Sequence, residues 1–262
     1  MTTVLLGCLA VFGTGAAAVA GALLIQRTVP ARVRYDFGMY GALTTALVVS
    51  AFLLSAVATG LFVWEAVNRA NTGVVQEADA LLDLYWYTRT IEGPEAVRLR
   101  SDLRDYTNHV IQVEWPTMDE MGTLNPRSWQ LARQLRLDVL SISPKGGGAA
   151  IRYQDALRAV NSVFDARRSR GALITTRIPP LMWLALLSTG LLVVVLPMLR
   201  GDPRPAVRVV LAVVGAATVA FVVFLLYEVN VPFTGNVKVT PAPLEEALRS
   251  FADIDAFPGN RP

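Results

Sequence analysis

"MYGALTTALVVSAFLLSAVATGLFVWEAVNRANTGVVQEADALLDLY", residues 39–85, holds two environments in one periodic pattern. Met39 to Trp64 carries no Asp, Glu, Lys or Arg and exceeds the ~17–25 residues a helix needs to cross hydrocarbon. Uncharged chain of this length satisfies its backbone in lipid by forming a helix. Charges enter at Glu65, yet Val74, Val75, Ala78, Leu81, Leu82 and Tyr85 continue a helical i, i+4, i+7 stripe, and no Gly-Pro break comes before Gly93-Pro94. The spacing predicts one helix that starts in a membrane and runs on into water.

Working outward, three more stretches lack charge: Val4 to Ile25, Leu181 to Leu199 and Val209 to Tyr227. With 53% hydrophobic and 17% charged residues and a mean hydropathy of +0.43, the 262-residue chain is too apolar for an ordinary soluble domain. The expectation is an all-α protein with four transmembrane helices and a helical extramembrane domain between spans 2 and 3. Its parts are 1–64 (spans 1 and 2), 65–177 (soluble domain), 178–228 (spans 3 and 4) and 229–262 (a C-terminal turn and docking strap). The first stretch, "MTTVLLG" onward, lacks the positive n-region of a signal peptide and is expected to stay as a helix. Cys8 is the single cysteine, so no disulfide forms within the chain.

Residues 65–177 hold fifteen Lys/Arg and fourteen Asp/Glu, a nearly neutral, water-exposed composition. No Lys/Arg run interleaved with aromatics appears, which sets nucleic acid aside. Pro94 opens a helix whose stripe is Leu99, Leu103, Tyr106, Val110 and Val113, expected to stop at "VEWP" because Pro116 disfavours helix before it. A loop over 117–126, a shorter helix over "RSWQLARQLRLDVLSI" and a "SPKGGG" connector follow. Tyr153, Leu157, Val160 and Phe164 mark a third helix, and Arg167, Arg168, Arg170 and Arg177 behind it are expected at lipid headgroups.

Enzyme chemistry has little support. One histidine, His109, and one cysteine inside a span build no zinc site. "KGGG" at 145–148 lacks the Lys-Ser/Thr of a phosphate-binding loop. No nucleophile, base and orienting group stand together. Neither cofactor nor metal is expected.

"VVQEADALLDLY" (with Glu77), "RSDLRDYTNHVIQVEWP" (Glu114, Trp115, Pro116), "RIPPLMW" (Pro179, Pro180) and "PFTGNVKVTPAPLEEAL" (Pro232, Phe233, Gly235) together resemble the bestrophin-like family of bacterial membrane proteins. The likeness spans nearly the whole chain and extends, more remotely, to the bestrophin anion channels. It implies a pentameric channel whose second membrane helix lines the pore and leaves the membrane through a Trp-rich patch, here at Trp64. "PFTG" is similar to the bestrophin Pro-Phe-Gly turn. In calcium-regulated bestrophins an acidic run follows that turn, whereas "NVKVTPAPL" has no carboxylate before Glu245. Calcium gating through this element is therefore not implied. Pro232 and Gly235 suit a tight turn, with Gly235 free to adopt positive φ; the turn either straps the C-terminal segment to the helical domain or binds a ligand.

The residue-level support for a channel is one face of span 2: Thr45, Val48, Phe52, Ser55, Thr59 and Phe62, hydroxyls alternating with large apolar groups. The same face also suits ordinary helix packing in lipid. Two functions thus stand side by side: a homo-oligomeric channel for anions, or a non-conducting scaffold or sensor whose helical domain binds a partner. Arg27, Arg32, Arg34, Arg200, Arg204 and Arg208 would draw the short loops to the cytoplasm. Arg69 and the 167–177 arginines pull the other way, as does the resemblance, so soluble domain and termini are expected on the cytoplasmic side of a cell membrane.

Overall fold

The computed structural model describes residues 20–21, 31–144, 146–199, 205–234 and 238–256. Among these the structure is all-helical, with no strand. Helix α1 is a single 58-residue element, Ala31–Thr88. It is followed by α2 (Pro94–His109), a π-helical turn (Val110–Glu114), α3 (Trp115–Met121), α4 (Pro126–Ser141), α5 (Gly147–Ile174), α6 (Pro180–Leu199), α7 (Pro205–Glu228) and α8 (Ala242–Ala256). Three helices are long and apolar enough to cross a membrane, over Leu43–Thr88, Pro180–Leu199 and Val209–Glu228. The expected first span, Val4 to Ile25, lies outside the described residues except for Ala20 and Gly21.

The chain divides into two units. The first comprises Met1–Trp64 and Arg177–Asn230. In it α6 and α7 pack along each other, and small residues allow the approach. A Cβ at Gly190 would stand 2.8 Å from Val219 Cγ1 and 3.4 Å from the Phe52 ring. Met198, Ala212 and Ala216 form a second contact between the two helices. Asn230 Oδ1 accepts from the Ile178 amide at 2.9 Å, just ahead of Pro179 and Pro180, which start α6. The Pro179 carbonyl accepts from Met182 and Trp183.

The second unit comprises Glu65–Thr176 and Val231–Pro262. The α1 stripe continues here as Val74, Ala78, Leu81 and Tyr85, buried against Leu99, Leu103, Tyr106 and Val110 of the next helical segment. Leu135, Val139, Val160 and Val163 close the core from α4 and α5. Asn125 caps α4 by accepting from the Arg127 amide at 2.9 Å.

Local expectations needed correction at two points. Pro116 does not end the helical run: it occupies the first turn of α3, where its missing N–H costs little, so residues 117–121 are helix rather than loop. The "SPKGGG" stretch is not wholly connector either, because α5 begins at Gly147 after Gly146 at φ 93.

The segment after α7 makes the turn expected of "PF", and residues 238–240 adopt no regular secondary structure. Phe233 is buried and meets Trp115 edge to face, ring centroids 6.0 Å apart. Trp115 Nε1 donates to the Val239 carbonyl at 3.3 Å, and the Val239 amide donates back to Pro232 at 2.9 Å. Lys238 pairs with Asp119. Helix α8 then buries Leu244, Ala247, Phe251 and Ile254, one i, i+3, i+4 stripe. Phe251 stacks on Tyr85 at 4.1 Å. Gly235, expected at positive φ, lies outside the described residues.

Candidate functional site

Two regions of α1 carry the candidate chemistry. The membrane stretch presents its hydroxyls to its own backbone. Thr45 Oγ1 donates to Gly41 at 2.6 Å, Ser55 Oγ to Ala51 at 2.8 Å and Thr59 Oγ1 to Ser55 at 2.7 Å. A hydroxyl bonded to the carbonyl four residues back has no donor left for an ion.

Burial sorts the six expected pore residues further. Phe52 is 3% exposed, its ring beside Gly190, and Thr59 is 1% exposed. Thr45, Val48, Ser55 and Phe62 are half-buried. Phe52 and Thr59 are therefore packed inside the protomer, and the packing role weighed for this face describes them. Exposed residues include another stripe, Leu43, Leu47, Leu54, Val57, Leu61 and Trp64, with Leu54 at 71%, and Leu53 beside it. Ser50 joins it at the same spacing.

In the second unit, Glu77 on α1 enters a charge cluster that is closed from water. Its Oε1 accepts from Tyr106 Oη at 2.5 Å, and its other oxygen pairs with Arg170. Arg170 Nη1 also reaches Glu114 Oε1 at 3.0 Å. Arg167 Nη1 donates to Glu114 Oε1 at 2.8 Å, Nη2 pairs with Oε2, and Nη2 also meets the Asn125 carbonyl at 3.4 Å. The guanidiniums lie over indoles, Arg167 over Trp129 at 4.8 Å and Arg170 over Trp115 at 5.0 Å.

The two carboxylates and two guanidiniums cancel in charge, which makes such a group tolerable away from water. Burial, reinforced by the Glu114 carboxylate against the opposing pull of Arg167, pushes the Tyr106 phenol up to about 12. Tyr106 thus remains a protonated donor to Glu77. The π turn carries Glu114 into the interior next to Trp115, both of them buried.

The arginines correct an expectation. Arg167 and Arg170 are buried rather than set at headgroups, whereas Arg168 is exposed and pairs with Asp165. Spacing of three places the first two on one helical face and turns Arg168 to the other.

Of the motif residues, Glu77, Glu114 and Trp115 thus meet in or beside the cluster, with Phe233 against Trp115. Trp64 and Pro116 are exposed. Among the described residues no group of three His, Cys, Asp or Glu is arranged to hold a metal.

A long apolar helix with an exposed stripe, two further span-length helices and a helical unit with an enclosed charge cluster define an all-helical membrane protein. The Bestrophin-like domain matches residues 12–244, and the chain belongs to the Bestrophin-like family. Two point-mutant forms of a bacterial bestrophin homologue from Klebsiella pneumoniae are similar in structure. One has a TM-score of 0.60 at 15% identity, covering 97% of this chain and 99% of that one. The other has 0.57 at 16%, covering 98% and 100%. A further mutant membrane protein gives 0.59 at 15%, covering all of both chains. At these identities the likeness speaks for the fold. No curated relative matches the sequence.

Proposed function

We propose that this protein is a homo-oligomeric anion channel, a pentamer, with α1 of each copy lining the pore. The observation that carries the reading is the exposed stripe Leu43, Leu47, Leu54, Val57, Leu61 and Trp64 on a helix long enough to cross a bilayer. A pore-lining side chain in a ring of copies must be free of its own protomer, and this stripe meets that condition where Phe52 and Thr59 do not. An apolar lining gates by excluding water from a narrow path. The half-buried Thr45, Val48, Ser55 and Phe62 flank the stripe rather than form it.

In this reading Val4 to Ile25 supplies a fourth span, and soluble domain and termini share the cytoplasmic side. Particle mass and symmetry in detergent test the ring. Anion flux from liposomes, compared between wild type and Leu54→Ser, tests the lining: a polar group at the constriction raises flux. Single cysteines at Ser143, which is exposed, and at Thr28, in a Cys8→Ser background, report sidedness to an impermeant reagent on intact cells. Labelling at Ser143 would place the soluble domain outside.

One observation favours the scaffold reading. An open groove of about 890 Å3 runs between α1 and α5 in the second unit, lined among others by Asp79, Asp83, Trp86, Arg152, Asp155 and Arg158. A monomer without flux that retains a protein through this groove would support that alternative.

A further inference from the structure

Helices α2 and α4 pack together in the second unit, and their contact holds two acidic side chains outside the charge cluster. Asp138 is 6% exposed. Its Oδ1 accepts from Gln134 Nε2, one turn earlier on α4, at 3.0 Å. Its Oδ2 is buried and meets no donor. The Asp102 carboxyl on α2 has the Asp138 side chain as its hydrogen-bonding neighbour across this contact.

Two ionised carboxylates are both acceptors and cannot bond each other. Left ionised, the contact would combine a buried orphan oxygen with like charges side by side, and each is unfavourable. A single proton removes both faults: Asp102 donates an O–H, and Asp138 Oδ2 accepts it. We propose that Asp102 and Asp138 hold one proton between them and act as a pH-sensitive clasp joining α2 to α4.

The electrostatic surroundings agree. Burial first, then the hydrogen bond and charge of Asp138, then the charge of Asp105, hold the Asp102 carboxyl up at about 7, with Arg98 pulling the other way. Three charged groups on elements packed against α2 have partners of their own. Asp255 of α8 is taken by Arg104 and Tyr85, and Glu114 of the π turn by Arg167 and Arg170. Along α4, Arg136 bonds Asn161 of α5.

A carboxyl whose folded value is raised binds its proton more tightly folded than unfolded. The stability it contributes is complete below the unfolded value of 3.8 and is lost as pH rises through about 7. Near neutrality the clasp is therefore partly open, and a modest acid shift closes it. The proposal is independent of whether the protein conducts.

The test uses the full-length protein in detergent, as wild type, Asp102→Asn and Asp138→Asn. Thermal unfolding is followed from about pH 5 to about pH 8, and infrared spectroscopy follows the protonated-carboxyl band over the same range. Wild type should lose midpoint as pH rises across that range, about 3–6 °C for each tenfold weakening of the folded state. Asp102→Asn, whose amide N–H replaces the O–H and cannot titrate, should show a clearly shallower slope and lack the band seen in wild type below neutrality. In Asp138→Asn, Asp102 loses its acidic neighbour but keeps the larger effect of burial, so it should ionise at lower pH than in wild type and its band should fade earlier as pH rises. Equal slopes in wild type and Asp102→Asn would overturn the clasp. If Asp102→Asn fails to fold, the other two proteins decide: a neutral-pH band unchanged in Asp138→Asn, or none in wild type, would overturn it as well.

Discussion

Arg167 grips Glu114 with both arms of its guanidinium, and both side chains are completely buried. The partners are 53 residues apart in sequence, so their pairing fixes α5 against the π turn. Arg170 shares Glu114 and adds Glu77, which brings α1 into the same cluster.

Arg167→Met should be among the most destabilising single changes in the second unit. It leaves Glu114 with one of its two cations, and an undercompensated buried charge typically costs about 3–5 kcal/mol. Adding Glu114→Gln should recover part of that loss, since charge balance improves when the second member is neutralised. Thermal melts of the two single variants and the double variant check this. Strictly additive losses would mean that the pair is not energetically coupled.

Phe52→Ala should act on stability rather than on conduction. The ring fills space beside Gly190 and Val219, and truncating a buried Phe costs about 3–5 kcal/mol. Gly190→Val should be comparably harmful, because its Cβ alone would fall 2.8 Å from Val219 Cγ1. The measurement pairs a melt with liposome flux. Intact Phe52→Ala oligomers with a large rise in flux, and none for Leu54→Ser, would restore Phe52 to the pore.

These two cases show what was legible in sequence. The long helix was, because a 3.6-residue period persists across the change from apolar to charged composition. So was the turn at Pro232 and Phe233, a local pattern. The partners of the α1 hydroxyls were not: Thr45, Ser55 and Thr59 alternate with apolar residues as a pore lining would, and each also bonds its own backbone. Arg167 and Arg170 were read by charge as a headgroup cluster. The usable signal was angular, since residues three apart share a face while Arg168 does not. Their carboxylate partners lie on other elements and only folding brings them together. Pro116 was read as a stop, although proline suits a helix's first turn as well as the end of the preceding one.

Phe233 and Trp115 should show measurable coupling. Phe233→Ala removes a buried ring at a cost of about 3–5 kcal/mol, and a double-mutant cycle with Trp115→Leu should report about 0.5–1.5 kcal/mol for the edge-to-face pair. Lys238 and Asp119 hold the same segment from the surface, where an ion pair adds little. Calcium should leave all of these melts unchanged. A large calcium-dependent rise in wild type, abolished in Phe233→Ala, would mean that the turn is a cation site.

Asp83 provides the last prediction, from the wall of the groove. Burial first, then the charges of Asp79 and Asp155, raise its carboxyl above the usual 3.8. The folded protein therefore binds this proton more tightly than the unfolded chain. The sign follows: the associated stability is complete below 3.8 and is lost as pH climbs through the raised folded value. Above that interval Asp83 is ionised between two like charges, so Asp83→Asn should raise the melting temperature at neutral pH while changing it little in acid. Water still reaches this side chain and screens it, which makes the gain modest. Because Asp83→Asn leaves Asp102 and Asp138 untouched, it should keep their share of the pH dependence. Melts of wild type, Asp83→Asn and the Asp83→Asn/Asp102→Asn pair separate the two contributions, and a lower neutral-pH midpoint in Asp83→Asn would show that the carboxylate binds a cationic group that outweighs its acidic neighbours.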